Sequence, residues 1–296
     1  MSKATEGTIV VITTVYPGVE PYLCRYLDSL EAQTCKVFDV LLANDGFIGL
    51  EAILSARKLQ WRILNVAKTV SGNRRDLINK AVEYGYKKII FSDSDDELSL
   101  NRVDILNSLL DIYDVVVNDL DIINSSSQLI DMKYLSNRFE NGECINAIKL
   151  QTSNMMGLTN TAATSNALKN SIALQGGDAL AFDWYLWTTV LLNSNEAIFT
   201  NKTTTKYRMH SNNVAGFIQA VDKNSVLKGI EVKCEYYRLM SGINQNYEEL
   251  LNKFKSEINK LSDENMMKYI FVIEKDKIKY PIWWEQIKLP SEVGIV

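Results

Sequence analysis

Asp93, Asp95 and Asp96 lie within four residues of one another, directly after a short apolar run. Carboxylates at positions i, i+2 and i+3 crowd negative charge into a small volume, and their repulsion costs free energy unless a cation lies between them. Hard oxygen ligands of this kind suit Mg²⁺ or Mn²⁺, which take further ligands from substrate phosphates. The segment therefore predicts a divalent-cation site, and the alternative is a solvated acidic turn that caps the next helix.

Two other side chains are candidates for chemistry. Asp183 lies among the aromatic residues of segment 182–187, where partial burial would raise its pKa and make it a candidate general base. The alternative is that Asp183 caps a helix whose Trp and Leu residues pack in the core. His210 is the only histidine of the chain, and a lone histidine is more often a hydrogen-bonded structural residue than a metal ligand.

The elements that must position these residues follow from hydrophobic periodicity. Over the first 120 residues, strand-like runs (8–15, 37–43, 61–66, 88–92 and 114–118) alternate with helical patterns (21–30, 50–59, 73–84 and 103–110). This alternation predicts βαβ units and a mostly parallel sheet, whose ligands bind at the carboxyl ends of the strands. Three polar clusters should then share one edge: 13–16, 44–45 and 93–96. Further along, we expect loop and short helix over 153–168, a helix over 182–192 and a strand over 203–209.

Composition limits the class of protein. Of 296 residues, 46% are hydrophobic and 23% are charged, which is typical of a globular protein with a large core. A net charge of −4 provides no overall basic field for nucleic acid, so we expect no nucleic-acid partner. The four cysteines are far apart and form no C-x-x-C pair, which predicts reduced thiols and a cytoplasmic location. The first seven residues show no signal-peptide pattern, and the apolar runs are too short to span a bilayer.

Beyond about residue 222 the pattern becomes helical. Apolar residues recur at spacings of three and four: Tyr247, Leu251, Phe254, Ile258 and Leu261. Lysines on this segment are offset by glutamates, so it lacks the basic face of a membrane-surface helix, and we rank membrane association last. We expect the segment to pack on protein, and self-association through these helices stays open. Domains are predicted at 1–221 and 222–296.

Six segments, in this order, resemble glycosyltransferase family 2, which has the GT-A fold. They are 10–16 (first strand and donor loop), 40–46 (second strand and base-recognition turn), 72–85 (the arginine-containing helix), 93–96 (the Asp-x-Asp signature), 182–187 (the catalytic-base segment) and 207–213 (the closing element). The resemblance extends over residues 8–216. It implies an α/β chain with a GT-A-like nucleotide-binding domain, a mostly parallel central sheet and a C-terminal helical extension. Residues 1–118 would form the donor half and 119–221 the acceptor half.

The resemblance also implies an activity. An inverting transferase would move a sugar from a nucleotide diphosphate sugar, expected to be uridine-linked, to a hydroxyl of a carbohydrate or glycoconjugate acceptor, in microbial polysaccharide or glycoconjugate biosynthesis. Asp95 and His210 would hold Mn²⁺ or Mg²⁺, and Asp183 would be the catalytic base. The residues implied to bind the nucleotide are Thr13, Tyr16, Asn44, Asp45, Arg75, Asp93 and Ser94.

Two positions depart from the family pattern. Phe182 stands where the family usually has Glu, and Asn44 stands where it usually has the first of two aspartates. A sugar-phosphate nucleotidyltransferase is one alternative, but it should carry a glycine-rich basic loop after the first strand, and segment 13–19 contains only Gly18. A catalytically inactive, sugar-binding subunit of a polysaccharide-assembly complex is the other. The retained acidic residues argue against it, although Phe182 keeps it open.

Overall fold

The computed structural model describes residues 9–66, 68–193, 196–210, 222–275 and 283–295. Contacts between residues divide the chain into two compact units. The first unit comprises Met1–Lys149, Met156–Asp178 and Leu186–Met209. The second unit comprises Leu150–Met155, Ala179–Tyr185 and His210–Val296.

Within the residues that the structure describes, all strands belong to the first unit. In chain order they are β1 (Ile9–Val15), β2 (Asp39–Asn44), β3 (Gln60–Asn65), β4 (Lys88–Phe91), β5 (Glu97–Leu98), β6 (Val115–Asn124), β7 (Leu129–Asp131), β8 (Cys144–Ile145), β9 (Thr161–Thr164) and β10 (Ala197–Met209). The helices are α1 (Glu20–Glu31), α2 (Leu50–Ser55), α3 (Val70–Glu83), α4 (Arg102–Leu109), α5 (Ser165–Lys169), α6 (Phe182–Leu192), α7 (Lys223–Ser241), α8 (Asn246–Ile258) and α9 (Asp263–Lys275).

The strands form one sheet with the order β3-β2-β1-β4-β9-β6-β10-β5. Neighbours β3, β2, β1 and β4 are parallel, and so are β6 and β10. Antiparallel pairing occurs where β9 lies between β4 and β6, and where β5, β7 and β8 join the longer strands. The predicted α/β class and mostly parallel sheet are therefore confirmed.

Local sequence explains the βαβ half of this sheet. Strand β1 is rich in β-branched residues and almost completely buried, as expected for a strand covered on both faces. Helix α3 ends in a Schellman motif, in which the Tyr86 N–H donates to Ala81 O and the Gly85 N–H donates to Val82 O. Gly85 has a φ of 86°, a conformation that costs glycine little, so the predicted stop of this helix is confirmed.

The least periodic part of the sequence holds a strand that we did not predict. Segment 153–168 was expected to be loop and short helix, and it contains both β9 and α5. Strand β9 reads Thr-Ala-Ala-Thr, which lacks the large apolar side chains that mark a strand in a sequence. Its burial depends on pairing with Ile89 of β4 and Val116 of β6, two distant parts of the chain.

Strand β10 is longer than the predicted 203–209, because it starts at Ala197. Its pairing with β6 shifts register between Thr200 and Thr204. This irregularity interrupts the alternation of inward and outward side chains along the strand, so the sequence pattern predicts only the residues that follow it.

Helices α7, α8 and α9 all belong to the second unit. A hydrophobic stripe buries Tyr247, Leu251 and Phe254 of α8, as its spacing predicts. A short 3-10 turn, Pro290–Val293, follows later in the chain. Within the described ranges, no helix combines the length and apolar character that a bilayer span requires.

Candidate active site

The carboxyl ends of β1, β2 and β4 lie side by side. Val15 pairs with Asn44 across β1 and β2, and Ile12 pairs with Phe91 across β1 and β4. Beyond the strands the backbone stays joined, since the Asp45 N–H donates to Val15 O at 2.8 Å. The three polar clusters therefore share one edge of the sheet, as the parallel topology predicts.

Asp96 is the buried member of the acidic turn 93–96, with a side chain 1% exposed. Its carboxylate accepts hydrogen bonds from the Arg208 main-chain N–H at 2.7 Å and from the Thr159 hydroxyl. Burial, together with the charges of Asp95 and Asp93, raises the pKa of Asp96 well above its ordinary value. Asp96 thus acts as a structural anchor of the turn.

Asp93 and Asp95 are half-buried and face the edge of the sheet. The Tyr16 hydroxyl donates to Asp95 Oδ2 at 3.2 Å. Burial, followed by the charges of Asp95 and Asp93, raises the pKa of Tyr16, so this hydroxyl keeps its proton and remains a donor. Ser94 Oγ donates to Thr14 O at 2.7 Å and fixes the turn on β1.

This donor set fits a divalent cation that shares its ligands with a substrate. Burial is the main cause of the raised pKa of Asp96 and of Tyr16, and the nearby charges of Asp95 and Asp93 raise both further. Within the described ranges, no three His, Cys, Asp or Glu side chains converge as a complete metal site. One or two carboxylates are enough for Mg²⁺ when substrate phosphates supply the other oxygens, and Asp93 and Asp95 can provide them.

A small depression beside Asp93 has a cavity volume of about 10 Å³, room for about one water molecule. Its lining includes Thr13 of β1, Arg74 and Leu77 of α3, and Leu158. Arg74 Nη2 lies 3.7 Å from Asp93 Oδ1. The polar Thr13 and Arg74 and the apolar Leu77 and Leu158 can contact one part of a larger ligand bound at these strand ends.

The resemblance implies Arg75 as a nucleotide-binding residue, and the structure places the neighbouring Arg74 in the lining of the depression. Arg74 precedes the buried residues Leu77 and Ile78 by three and four positions, so helical spacing places all three on one face of α3. That spacing was the available signal. Arg75 instead donates from Nε to Ala173 O at 3.1 Å and contacts Gly177 O, which ties it to the loop before α6.

Asp178 lies on that same loop and is bound to the start of α3. It accepts hydrogen bonds from Thr69 Oγ1 at 2.6 Å and from Ser71 Oγ at 2.8 Å. These bonds lower the pKa of Asp178, the Thr69 bond contributing most. The carboxylate therefore stabilises the loop as an anion.

Asn44 uses its side chain to shape the turn after β2. Its Oδ1 accepts from the Phe47 N–H at 2.8 Å, and its Nδ2 donates to Phe47 O at 3.1 Å. The neighbouring Asp45 is half-buried at the same edge as Thr13. Of the two residues, Asp45 is the one whose side chain is not committed to this turn.

Asp183 lies in the second unit, in the first turn of α6, and is half-buried. Its Oδ1 accepts from the Trp184 N–H at 2.9 Å, and its Oδ2 accepts from Asn154 Nδ2 at 3.2 Å. Phe182, at the place of the family's Glu, is 2% exposed and packs in the core. His210 is half-buried at the start of the second unit's long C-terminal part, and residues 211–213 of the closing element lie outside the described ranges.

Helix α7 supports the segment that carries Asp183. The Tyr236 ring stacks on Trp184 with centroids 3.8 Å apart and an interplanar angle of 14°. Trp184 Nε1 and the Tyr236 hydroxyl both donate to Leu150 O, at 2.6 and 3.2 Å. Glu235 Oε2 also accepts from the Leu180 N–H at 2.8 Å. The C-terminal helices therefore pack on protein of the same unit.

Comparison with known proteins gives a result at the level of the fold. No protein-family model matches the chain, and no curated protein matches its sequence. TarS residues 1–349 of S. aureus, solved with UDP-GlcNAc, matches with a TM-score of 0.61 and 14% identity, over 90% of this chain and 78% of that chain. GalNAc-T7, solved with UDP, GalNAc and Mn²⁺, matches with a TM-score of 0.58 and 12% identity, over 89% of this chain and 53% of that chain. A longer TarS structure matches with a TM-score of 0.55 and 16% identity, over 87% of this chain and 44% of that chain. These are glycosyltransferases with GT-A-like folds, and the chain shares that fold.

Proposed function

We propose that the chain is a glycosyltransferase that takes a sugar from a UDP-linked donor. The observation that carries this proposal is the pairing of Asp93 and Asp95, at the carboxyl end of β4, with the depression lined by Thr13 and Arg74. The GT-A-like fold supports it, because TarS and GalNAc-T7 were solved with UDP or UDP-GlcNAc.

The donor half of the site would use residues of the first unit. Asp95 would hold Mn²⁺ or Mg²⁺, and a bound ion would neutralise the charge that develops on the departing diphosphate. Tyr16 donates to Asp95 and would keep that carboxylate oriented. We also propose His210 as a metal ligand, on the family resemblance.

The nucleotide itself would bind along this edge of the sheet, and the depression would take only part of it. Arg74 replaces Arg75 in our assignment, because Arg74 lines the depression while Arg75 binds the loop before α6. Asp45 is the better candidate for reading the base, since the Asn44 side chain closes its own turn. Thr13 and Asp93 complete the proposed nucleotide-binding set, whereas the buried Ser94 hydroxyl donates to Thr14 O and would hold the turn.

Asp183 would take the proton from the acceptor hydroxyl as that oxygen attacks the anomeric carbon. Attack from the face opposite the leaving diphosphate gives inversion. Two hydrogen bonds, from the Trp184 N–H and from Asn154, hold the carboxylate in one orientation. An oriented carboxylate within reach of the hydroxyl is what general-base catalysis requires. A microbial polysaccharide or glycoconjugate acceptor, a cytoplasmic location and self-association stay predictions.

The direct test is a hydrolysis screen. Purified protein is incubated with UDP-, GDP- and CDP-linked sugars in the presence of Mn²⁺ or Mg²⁺, and free nucleoside diphosphate is measured. We expect release from one or more UDP-sugars that EDTA abolishes. Asp95→Ala should remove the release, whereas Asp178→Ala, which changes a carboxylate bound to Thr69 and Ser71, should retain it. Metal-independent release, or release only from non-uridine donors, would contradict the proposal.

A further inference from the structure

We propose that Arg208 is a positioning residue that holds the acidic turn 93–96 in the shape that binds the cation. It would act through the main chain of Asp95 and the carboxylate of Asp96. This inference rests on the proposed function and adds a residue that the family resemblance did not assign to the site.

Arg208 bonds two consecutive residues of the turn. Its Nε donates to Asp95 O at 2.6 Å, and its main-chain N–H donates to Asp96 Oδ1 at 2.7 Å. The residue is fully buried, at 0% exposure. Arg208 thus holds the main-chain carbonyl of Asp95, and Tyr16 donates to its carboxylate. The main chain and the side chain of Asp95 are therefore both constrained.

The other guanidinium nitrogens connect the turn to the β6–β7 connection. Nη2 pairs with Glu97 Oε1 at 2.6 Å. Nη1 donates to Asn124 O at 3.0 Å and to Ser127 Oγ at 2.8 Å. The guanidinium carbon also lies 4.9 Å from the centre of the Tyr22 ring of α1. One side chain thus joins the acidic turn to α1 and to the end of β6.

Arginine is suited to this arrangement because its planar fork presents five donors in fixed directions. Lysine keeps the charge but has a single ammonium, which cannot reach Asp95 O, Glu97 and Asn124 O together. Residues that orient a metal ligand without touching the metal typically change metal affinity by about 10- to 100-fold when they are replaced. The same size of effect is expected here if Arg208 sets the direction of the Asp95 carboxylate.

The test compares Arg208→Lys with a matched control, Arg102→Lys. Arg102 is equally buried, and its hydrogen bonds go to Asn118 Oδ1, Phe91 O and Thr159 O, so it reaches the turn only indirectly, through the Thr159 hydroxyl on Asp96. UDP binding is measured by calorimetry at graded Mn²⁺ concentrations, and each variant's thermal midpoint is recorded. We expect Arg208→Lys to raise the Mn²⁺ concentration for half-maximal UDP binding at least about ten-fold. Arg102→Lys should lower the thermal midpoint and shift the Mn²⁺ requirement by no more than about three-fold, since it contacts no residue of the turn directly.

An unchanged Mn²⁺ requirement in Arg208→Lys, together with a lower thermal midpoint, would overturn the inference and leave the proposed function intact. If the wild-type protein binds no UDP at any Mn²⁺ concentration, the proposed function fails. Hydrogen exchange of amides 93–97 then decides the positioning claim without any ligand. Faster exchange there in Arg208→Lys than in Arg102→Lys supports it, and equal exchange overturns it. If Arg208→Lys does not fold, Glu97→Gln removes the charge partner alone and should shift the Mn²⁺ requirement in the same direction.

Discussion

Two carboxylates are central to the proposed chemistry, and the protein holds them by different means. Asp95 belongs to a turn fixed by a buried arginine, a buried aspartate and a tyrosine hydroxyl. Asp183 accepts from the Trp184 N–H and from the Asn154 side-chain amide, and Trp184 stacks on Tyr236 of the same second unit. A network of charged hydrogen bonds fixes the direction of a side chain and weakens when any one partner is lost. Aromatic packing fixes the position of a segment and weakens when the packed volume is reduced.

This difference predicts different sensitivities. The acidic turn should respond to the loss of a single donor, even when volume is conserved. The Asp183 segment should respond to the loss of packed volume, and much less to the loss of one hydrogen bond.

The largest effect is expected at Asp183 itself. Asp183→Asn keeps the size of the side chain but cannot take a proton, so we expect transfer to fall by about a thousand-fold. Calorimetry should show UDP binding close to wild type, because the base acts on the acceptor. Asp178→Asn is the matched control and should stay within a few-fold of wild-type turnover. Near-normal transfer by Asp183→Asn would place the base at another residue.

Removing the ring that supports Trp184 is the next largest change. Tyr236→Ala deletes a buried side chain that stacks at 3.8 Å, and we expect the free energy of unfolding to fall by about 3–5 kcal/mol. Tyr236→Phe keeps the ring and loses the hydroxyl, with its bonds to Leu150 O and to Tyr247, and should cost about 1–2 kcal/mol. Urea titration of both variants measures the two values. Equal losses would show that the hydrogen bond, and not the packing, holds this segment.

Helix α7 of the second unit carries a buried charged side chain, Lys233. Burial lowers the pKa of Lys233 to about 8, with Glu292 and Lys288 as smaller influences. Its ammonium donates to Ile287 O and lies 6.0 Å from the Phe254 ring centre. Because lysine in an unfolded chain titrates near pH 10.4, the unfolded state binds more protons between about pH 8 and 10.4, and stability rises with pH across that window.

Between pH 8 and 10.4, the free energy of unfolding of the wild type should rise by about 3 kcal/mol relative to that of Lys233→Met. Comparing the two proteins cancels the titration of their shared tyrosines. Urea unfolding at four pH values across the window measures the difference. A difference that stays constant with pH would mean that Lys233 titrates at its ordinary pKa in the folded protein.

The smallest effect is expected at Gly229, where α7 meets the segment after residue 282. A Cβ there would overlap Ile287 Cγ1 and lie 2.9 Å from Ile287 Cδ1. Gly229→Ala should therefore destabilise the protein by about 1–3 kcal/mol, although alanine favours a helix. The control is Gly242→Ala, which has a φ of −68° and only an ordinary contact at 3.6 Å. It should be neutral or stabilise by up to about 1 kcal/mol in thermal melting.

The fold was predictable where local periodicity carries it. Strands β1, β2 and β4 are continuous apolar runs, and their parallel order places the acidic turn beside Tyr16. Strand β9 could not be predicted, because its burial comes from two distant partners and not from its own residues.

The candidate site was predictable to a similar extent. The acidic residues 93–96 and the segment around Asp183 have spacings that a sequence search can recognise. Helical spacing also places Arg74 on the same face of α3 as Leu77 and Ile78. Arg208 lies in the closing element 207–213, but its proposed role depends on contacts with residues 95–97 and 124–127, more than 80 positions away, which that segment alone does not indicate.

The most direct measurement of the proposed metal-dependent donor site is calorimetric titration of UDP in the presence of Mn²⁺. It is run with wild-type protein, with wild type plus EDTA, and with Asp95→Ala, and Asp178→Ala is the control carboxylate. We expect EDTA and Asp95→Ala each to weaken UDP binding about a hundred-fold, or about 2.7 kcal/mol, and Asp178→Ala to bind as wild type. Equal UDP affinity in all four samples would contradict a metal-bound diphosphate at this strand end.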